Sequence, residues 1–150
     1  MVTPAIYRGA GIYIVTLTNE HPISVNADRP AIAERCIKVT RDNCKFGKAL
    51  NLNTRRSNYF KTFGEQYVRF FPVAAVAEPH LVESLVANEL LPFRLRGSTG
   101  RPNEWLAGVS PQAVEAIVLA ALKTSGLAFT LLERVANDPP VTVAWMKPKA

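Results

Sequence analysis

Apolar and polar residues alternate along the chain with two different periods. Gly11 to Leu17 (GIYIVTL) is a β-branched and aromatic run that reads as a strand buried on both faces. Thr18 to Pro30 carries two prolines with Asn, Asp and Ser and starts as loop, and Ala31 to Arg35 has room for one helical turn. Cys36 to Thr40 alternates and reads as a second strand. Arg41-Asp42-Asn43 has turn chemistry, and Cys44 to Ala49 reads as a third, short strand. These runs together predict an antiparallel sheet.

The period then changes. Asn51 or Asn53 is placed to cap a helix reaching about Phe60 and ending before Gly64. Tyr67 to Val76 is again strand-like, with Pro72 favouring a bulge or an edge position. Pro79 suits the first turn of a helix in which Leu81, Val82, Leu85, Val86 and Leu90 recur at helical spacing, up to Pro92. Phe93 to Gly108 reads as irregular. Ser110-Pro111 caps a further helix with a stripe of Val114, Ile117, Val118, Ala121 and Leu122, closed by Ser125-Gly126. A last helix is predicted over Leu127–Ala136, broken by Asp138-Pro139-Pro140. The pattern describes one α/β domain over residues 1–150: a small mixed or antiparallel sheet flanked by helices, with a core at about 10–107 and a helical extension at about 110–150.

Composition narrows the class. With 150 residues, 48% hydrophobic and 20% charged, the chain has material for one core and lacks the signature of disorder. No apolar run reaches the roughly 18 residues of a membrane span, and the start of the chain does not read as a signal peptide. The expectation is a cytoplasmic protein with no membrane partner. Two cysteines and two histidines are too few for a disulfide scaffold or a zinc cluster. Cys36 and Cys44 read as small core residues, and His21 and His80 as surface ones.

Charge is uneven. Residues 1–76 hold 11 basic and 5 acidic side chains, whereas 77–150 hold 7 of each, so the entire net charge of +6 lies in the first half. Between 41 and 61, Arg41, Lys45, Lys48, Arg55, Arg56 and Lys61 face Asp42 alone. Such a field attracts a polyanion, although a basic face can also serve only solubility.

Familiar phosphate loops and zinc-protease motifs are absent. What remains is a set of polar groups beside strands and on helices: Tyr13, Lys45, Lys48, Arg55, Tyr59 and Glu83. Glu83 lies among Leu81, Val82, Leu85 and Val86, and a carboxylate partly buried there needs a partner, of which a metal ion is one.

In these residues the chain resembles the GIY-YIG nuclease family. Gly11-Ile12-Tyr13 matches the first family motif letter for letter, and Lys45-Phe46-Gly47 stands at the second, with lysine in place of its tyrosine, as in some branches. Lys48 follows the glycine, and Arg55, eight residues after Gly47, lies where the family places its catalytic arginine at the start of a helix. Tyr59 follows one turn later. Glu83, after an aliphatic pair, matches the metal-binding glutamate, and Asn103-Glu104-Trp105-Leu106 looks like the closing segment, with Asn103 a further site candidate. The match spans about residues 10–107. The 31 residues from Ile14 to Cys44 exceed the family's usual spacing and imply an insertion, over Thr18 to Arg35 or beyond.

The resemblance implies a metal-dependent endonuclease acting on DNA. Mg²⁺ or Mn²⁺ at Glu83 would serve as Lewis acid, and Arg55 would offer paired donors to phosphate oxygens. Tyr13 would be the base or proton relay, its pKa lowered by nearby cations. Lys45, Lys48 and Tyr59 would position the water or phosphate. Arg56, Lys61, Arg94, Arg96 and Arg101 are expected to contact the nucleic-acid backbone. The alternatives are a nucleic-acid-binding module that kept the fold without catalysis, and a basic protein-interaction domain. Convergence of Tyr13, Arg55 and Glu83 on one site separates the nuclease from both.

Overall fold

A computed structural model describes residues 9–97 and 102–132. Strand β1 (Gly11–Leu17) leads into an excursion made of β2 (Ile23–Ser24), the single turn α1 (Pro30–Ala33) and β3 (Lys38–Val39), and the chain returns as β4 (Asn43–Ala49). Helix α2 (Leu52–Phe63), β5 (Val68–Ala75) and α3 (Pro79–Leu90) follow, then β6 (Arg94–Arg96), β7 (Pro102–Ala107), α4 (Pro111–Ser125) and β8 (Thr130–Leu131). Six strands form one sheet in the order β6-β7-β4-β1-β5-β8, all pairs antiparallel, and β2 pairs with β3 in a separate ribbon.

β1 is central because its side chains are apolar on both faces. Ile12 and Ile14 point into a core shared with Val82, Val86, Val114, Val118 and Leu122 of α3 and α4. Tyr13, Val15 and Leu17 point the other way, toward Leu52, Tyr59 and Phe63 of α2 and Trp105 of β7. Pro72 sits where the β1–β5 register shifts, opposite Tyr13, so the proline falls at a bulge as its missing N–H requires.

The Asn51 side chain caps α2 by accepting from the Thr54 N–H at 3.0 Å, and Ser110 caps α4 in the same way through Ala113. Among the described residues no helix is long and apolar enough to cross a membrane.

Four expectations need correction. Cys36–Thr40 contributes only Lys38–Val39, which pairs with β2 rather than joining the main sheet. Phe93–Gly108, read as irregular, contains β6 and β7, whose pairing is supplied by β4. Leu127–Ala136 is no helix within its described part: Thr130 and Leu131 pair with β5, which buries Leu132, and the remainder lies outside the described residues. On α3 the buried stripe is Pro79, Val82, Val86 and Leu90, whereas Leu81 and Leu85 are exposed at 37% and 51%.

Candidate active site

Tyr13 and Gly47 face each other across the β1–β4 pair. A methyl group on Gly47 would collide with the Tyr13 hydroxyl and ring, so the glycine is the gap into which the phenol fits. Gly11 does similar work at the strand's start, where a Cβ would strike Ala74 O and the Leu52 side chain. The two glycines thus fix how closely β4, β5 and α2 approach β1.

The Tyr13 hydroxyl meets the Tyr59 hydroxyl at 2.7 Å, and both rings are buried. Tyr13 stacks on Phe70, and Tyr59 stands edge-on to Trp105, which packs against Phe63. Arg55, one turn before Tyr59 on α2, is half-buried and within hydrogen-bonding reach of both phenols. Burial, the largest effect, raises both phenols well above the ordinary tyrosine value. The neighbouring tyrosine raises Tyr13 further, and Lys45 and Arg55 offset this only in part. The expected lowering of Tyr13 by cations is therefore reversed. Arg55 is itself held above its ordinary value: burial acts to lower it and is outweighed by the phenols and Glu104.

The register of β4 with β7 stops at Lys45, so the last residues of β4 lie along an unpaired edge. Side chains from both faces of the sheet meet there. Lys45 lies on the α2 side, with its ammonium 5.3 Å from the Tyr59 ring centroid and 3.7 Å from Glu104 Oε2. Lys48 points to the α3 side and donates to Glu83 Oε1 at 2.9 Å. An open pocket of about 220 Å³ is lined by Tyr13, Lys45, Lys48, Arg55, Glu83 and Glu104, with His80 at its wall. Tyr59 sits behind this wall and lines the adjoining groove.

The other expected residues are placed elsewhere. Arg56 donates to Asn53 Oδ1 at 3.0 Å and lies over the Phe60 ring, off the pocket. Lys61 is exposed toward the end of α2. Arg94 and Arg96 stand on the outer strand β6, and Arg101 lies outside the described residues. Asn103 lines the groove beside the pocket. Cys44 is buried, which pushes its thiol up to about 11, and Cys36 accepts from Asn26 Nδ2 at 3.1 Å. His21 is exposed and packs edge-on to Tyr67.

Two further residues line the pocket: His80, expected on the surface and indeed exposed, and Glu104 of the closing segment. His80 is three residues before Glu83, a spacing that puts both on one helix face. Glu104 is visible in the closing segment, but its ion pair with Lys45 depends on the β4–β7 register.

Among the described residues no three His, Cys, Asp or Glu side chains gather as a metal cage. Glu83 is a single carboxylate, 24% exposed, with one oxygen engaged by Lys48. That donor set fits a hard cation that keeps most of its waters and takes one carboxylate plus substrate phosphate oxygens, as Mg²⁺ does, and does not fit a closed transition-metal site. Comparison of the chain with protein-family models, curated proteins and solved structures finds no match.

Proposed function

We propose that this chain is a metal-dependent endonuclease of the GIY-YIG type, hydrolysing DNA phosphodiester bonds. One observation carries the reading: Tyr13, Lys45, Lys48, Arg55 and Glu83 come from four elements and both faces of the sheet to line one pocket. A module that only binds nucleic acid needs cations spread along a surface. It has no use for a buried phenol pair, a guanidinium and a carboxylate around one opening.

In this reading Arg55 presents its planar fork to two oxygens of the scissile phosphate and offsets the charge that builds there. Tyr13 and Tyr59 stay neutral, so Tyr13, backed by the Tyr59 hydroxyl, positions a water by hydrogen bonding rather than taking its proton as a phenolate. His80, at the wall of the pocket, offers an imidazole nitrogen to receive that proton. Lys48 holds the Glu83 carboxylate in place, and Lys45 holds Glu104. Mg²⁺ or Mn²⁺ at Glu83 supplies Lewis-acid polarisation of the phosphate and leaving oxygen when bound.

The second reading, a binding module without catalysis, draws on the Lys48–Glu83 pair, which already satisfies one carboxylate oxygen. Supercoiled plasmid DNA with Mg²⁺ or Mn²⁺ separates the two. The wild type is expected to nick it, and Arg55→Ala to slow the reaction about 10²-fold, the scale of losing one transition-state donor. Arg56→Ala should stay within about threefold, since a group off the pocket affects affinity more than turnover. Plasmid bound but left whole in both metals assigns the module; equal loss in the two arginine variants removes Arg55 from the chemistry.

A further inference from the structure

The insertion between β1 and β4 does not project into solvent as a separate lobe. Ile23, Val25, Ile37 and Val39 pack into the α2-side core, and Asp28 accepts from Thr62 Oγ1 at 3.1 Å, which ties the ribbon to α2. Between ribbon, α2 and β7 lies a groove of about 420 Å³. It shares Lys45, Arg55 and Glu104 with the pocket described above, so the two are neighbouring compartments with a common wall. Its volume is in the range of small-ligand sites.

The chemistry of the second compartment differs from that of the first. Asn26 uses its amide nitrogen on Cys36 Sγ, which leaves its carbonyl oxygen uncommitted. Asn103 uses its carbonyl oxygen on the Trp105 N–H, which leaves its amide nitrogen uncommitted. The side chains of Asn58 and Arg29 are exposed and have no hydrogen-bond or ion-pair partner among the described residues. The groove thus offers donors and acceptors together. A phosphate only accepts, so amide acceptors do nothing for it. A nucleobase presents both kinds of group on its edge, and asparagine matches such edges.

We propose that this groove, built by the insertion, receives one unpaired nucleotide of the DNA next to the cleaved phosphate. The amides of Asn26, Asn58 and Asn103 read its base edge, and Arg29 holds its phosphate. The proposal rests on the nuclease reading for the position of the cut. It makes the preferred substrate a duplex carrying an unpaired nucleotide, because a base stacked inside a continuous helix cannot enter the groove.

The test is equilibrium binding of the full chain, without added metal, to three duplexes: fully paired, with one extra unpaired nucleotide, and with an abasic residue in its place. The wild type is expected to bind the unpaired nucleotide at least about fivefold more tightly than the abasic control, the scale of a base-edge contact. Asn58→Ala should abolish that preference. Arg29→Ala should weaken both by a similar factor, as a backbone contact does. Equal binding of base and abasic duplexes by the wild type, or a preference that survives in Asn58→Ala, overturns the proposal. Cleavage of the same duplexes with Mg²⁺ is scored separately. Selective binding with no cutting overturns the nuclease reading alone, and absence of binding to all three overturns both.

Discussion

Tyr13 and Tyr59 meet inside an aromatic floor, and burial raises both phenols above their ordinary value. The folded protein therefore keeps protons that the unfolded chain gives up near pH 10. Above that pH the native state binds more protons than the unfolded state, so stability falls as pH rises. The loss approaches roughly 1.4 kcal/mol per pH unit for each phenol involved. Urea unfolding from pH 8 upward should show a decline that begins near pH 9, where the unfolded chain's Cys44 thiol ionises and the buried one does not, and that steepens above about pH 10, the steepening being smaller in Tyr59→Phe, which keeps the ring and removes one ionisable group. A wild-type curve that does not steepen at higher pH would show that the pair is not buried as described. The residue types of this site were legible in sequence, because Tyr13, Lys45, Arg55 and Glu83 stand at recognisable spacings. The sign of the Tyr13 shift was not. Nearby cations can be counted along a chain, whereas burial and the Tyr59 contact exist only after β1 and α2 pack. Gly47 shows the same limit: its place in a motif is visible, but its function as the gap for a phenol is a property of the β1–β4 register.

At the scale of elements, α2 positions most of the site, since Arg55, Asn58, Tyr59 and Thr62 all project from it. Its start depends on the Asn51 cap and its end on Gly64, which adopts a positive φ of 94°. Asn51→Ala should cost about 1 kcal/mol, and Asn51→Asp should restore most of it, because aspartate can also accept from Thr54. Thermal unfolding of the two variants decides this, and equal melting of both would mean that the cap is not needed. The elements read correctly are those whose pattern is local: β1, β4, α2, β5, α3 and α4 each carry their own period or cap. Those misread take their conformation from partners. Leu127 to Leu132 is a short apolar stretch that fits either state, and the edge of β5 makes it extended. Arg94 to Arg96 is too brief to signal a strand, and β7 provides its pairing.

Across the whole molecule, the basic excess of the first half is only partly available to a ligand. Arg41 pairs with Glu20, Lys45 with Glu104 and Lys48 with Glu83. Arg29, Arg55 and Lys61 retain no carboxylate within ion-pair distance among the described residues. Binding that engages these three, with one or two of the paired cations released onto phosphates, should show a log–log salt slope of about −3.6 to −4.5 on duplex DNA. A slope near zero would argue against a nucleic-acid partner. The segment between β1 and β4 is the part of the molecule least legible in the sequence. Its length was plain, but its ribbon and its contribution to a groove beside Arg55 arise from side chains such as Val25, Asn26 and Thr62, whose meeting no local pattern announces. In the proposed nuclease Glu83 serves turnover through a metal, Arg55 serves the transition state and the remaining cations serve affinity, so the decisive measurement is DNA binding and Mg²⁺-dependent cleavage by Glu83→Gln on the same preparation. Binding should remain within about threefold of the wild type while cleavage is lost, because an amide of equal size holds Mg²⁺ poorly; cleavage by Glu83→Gln at near the wild-type rate would contradict the account.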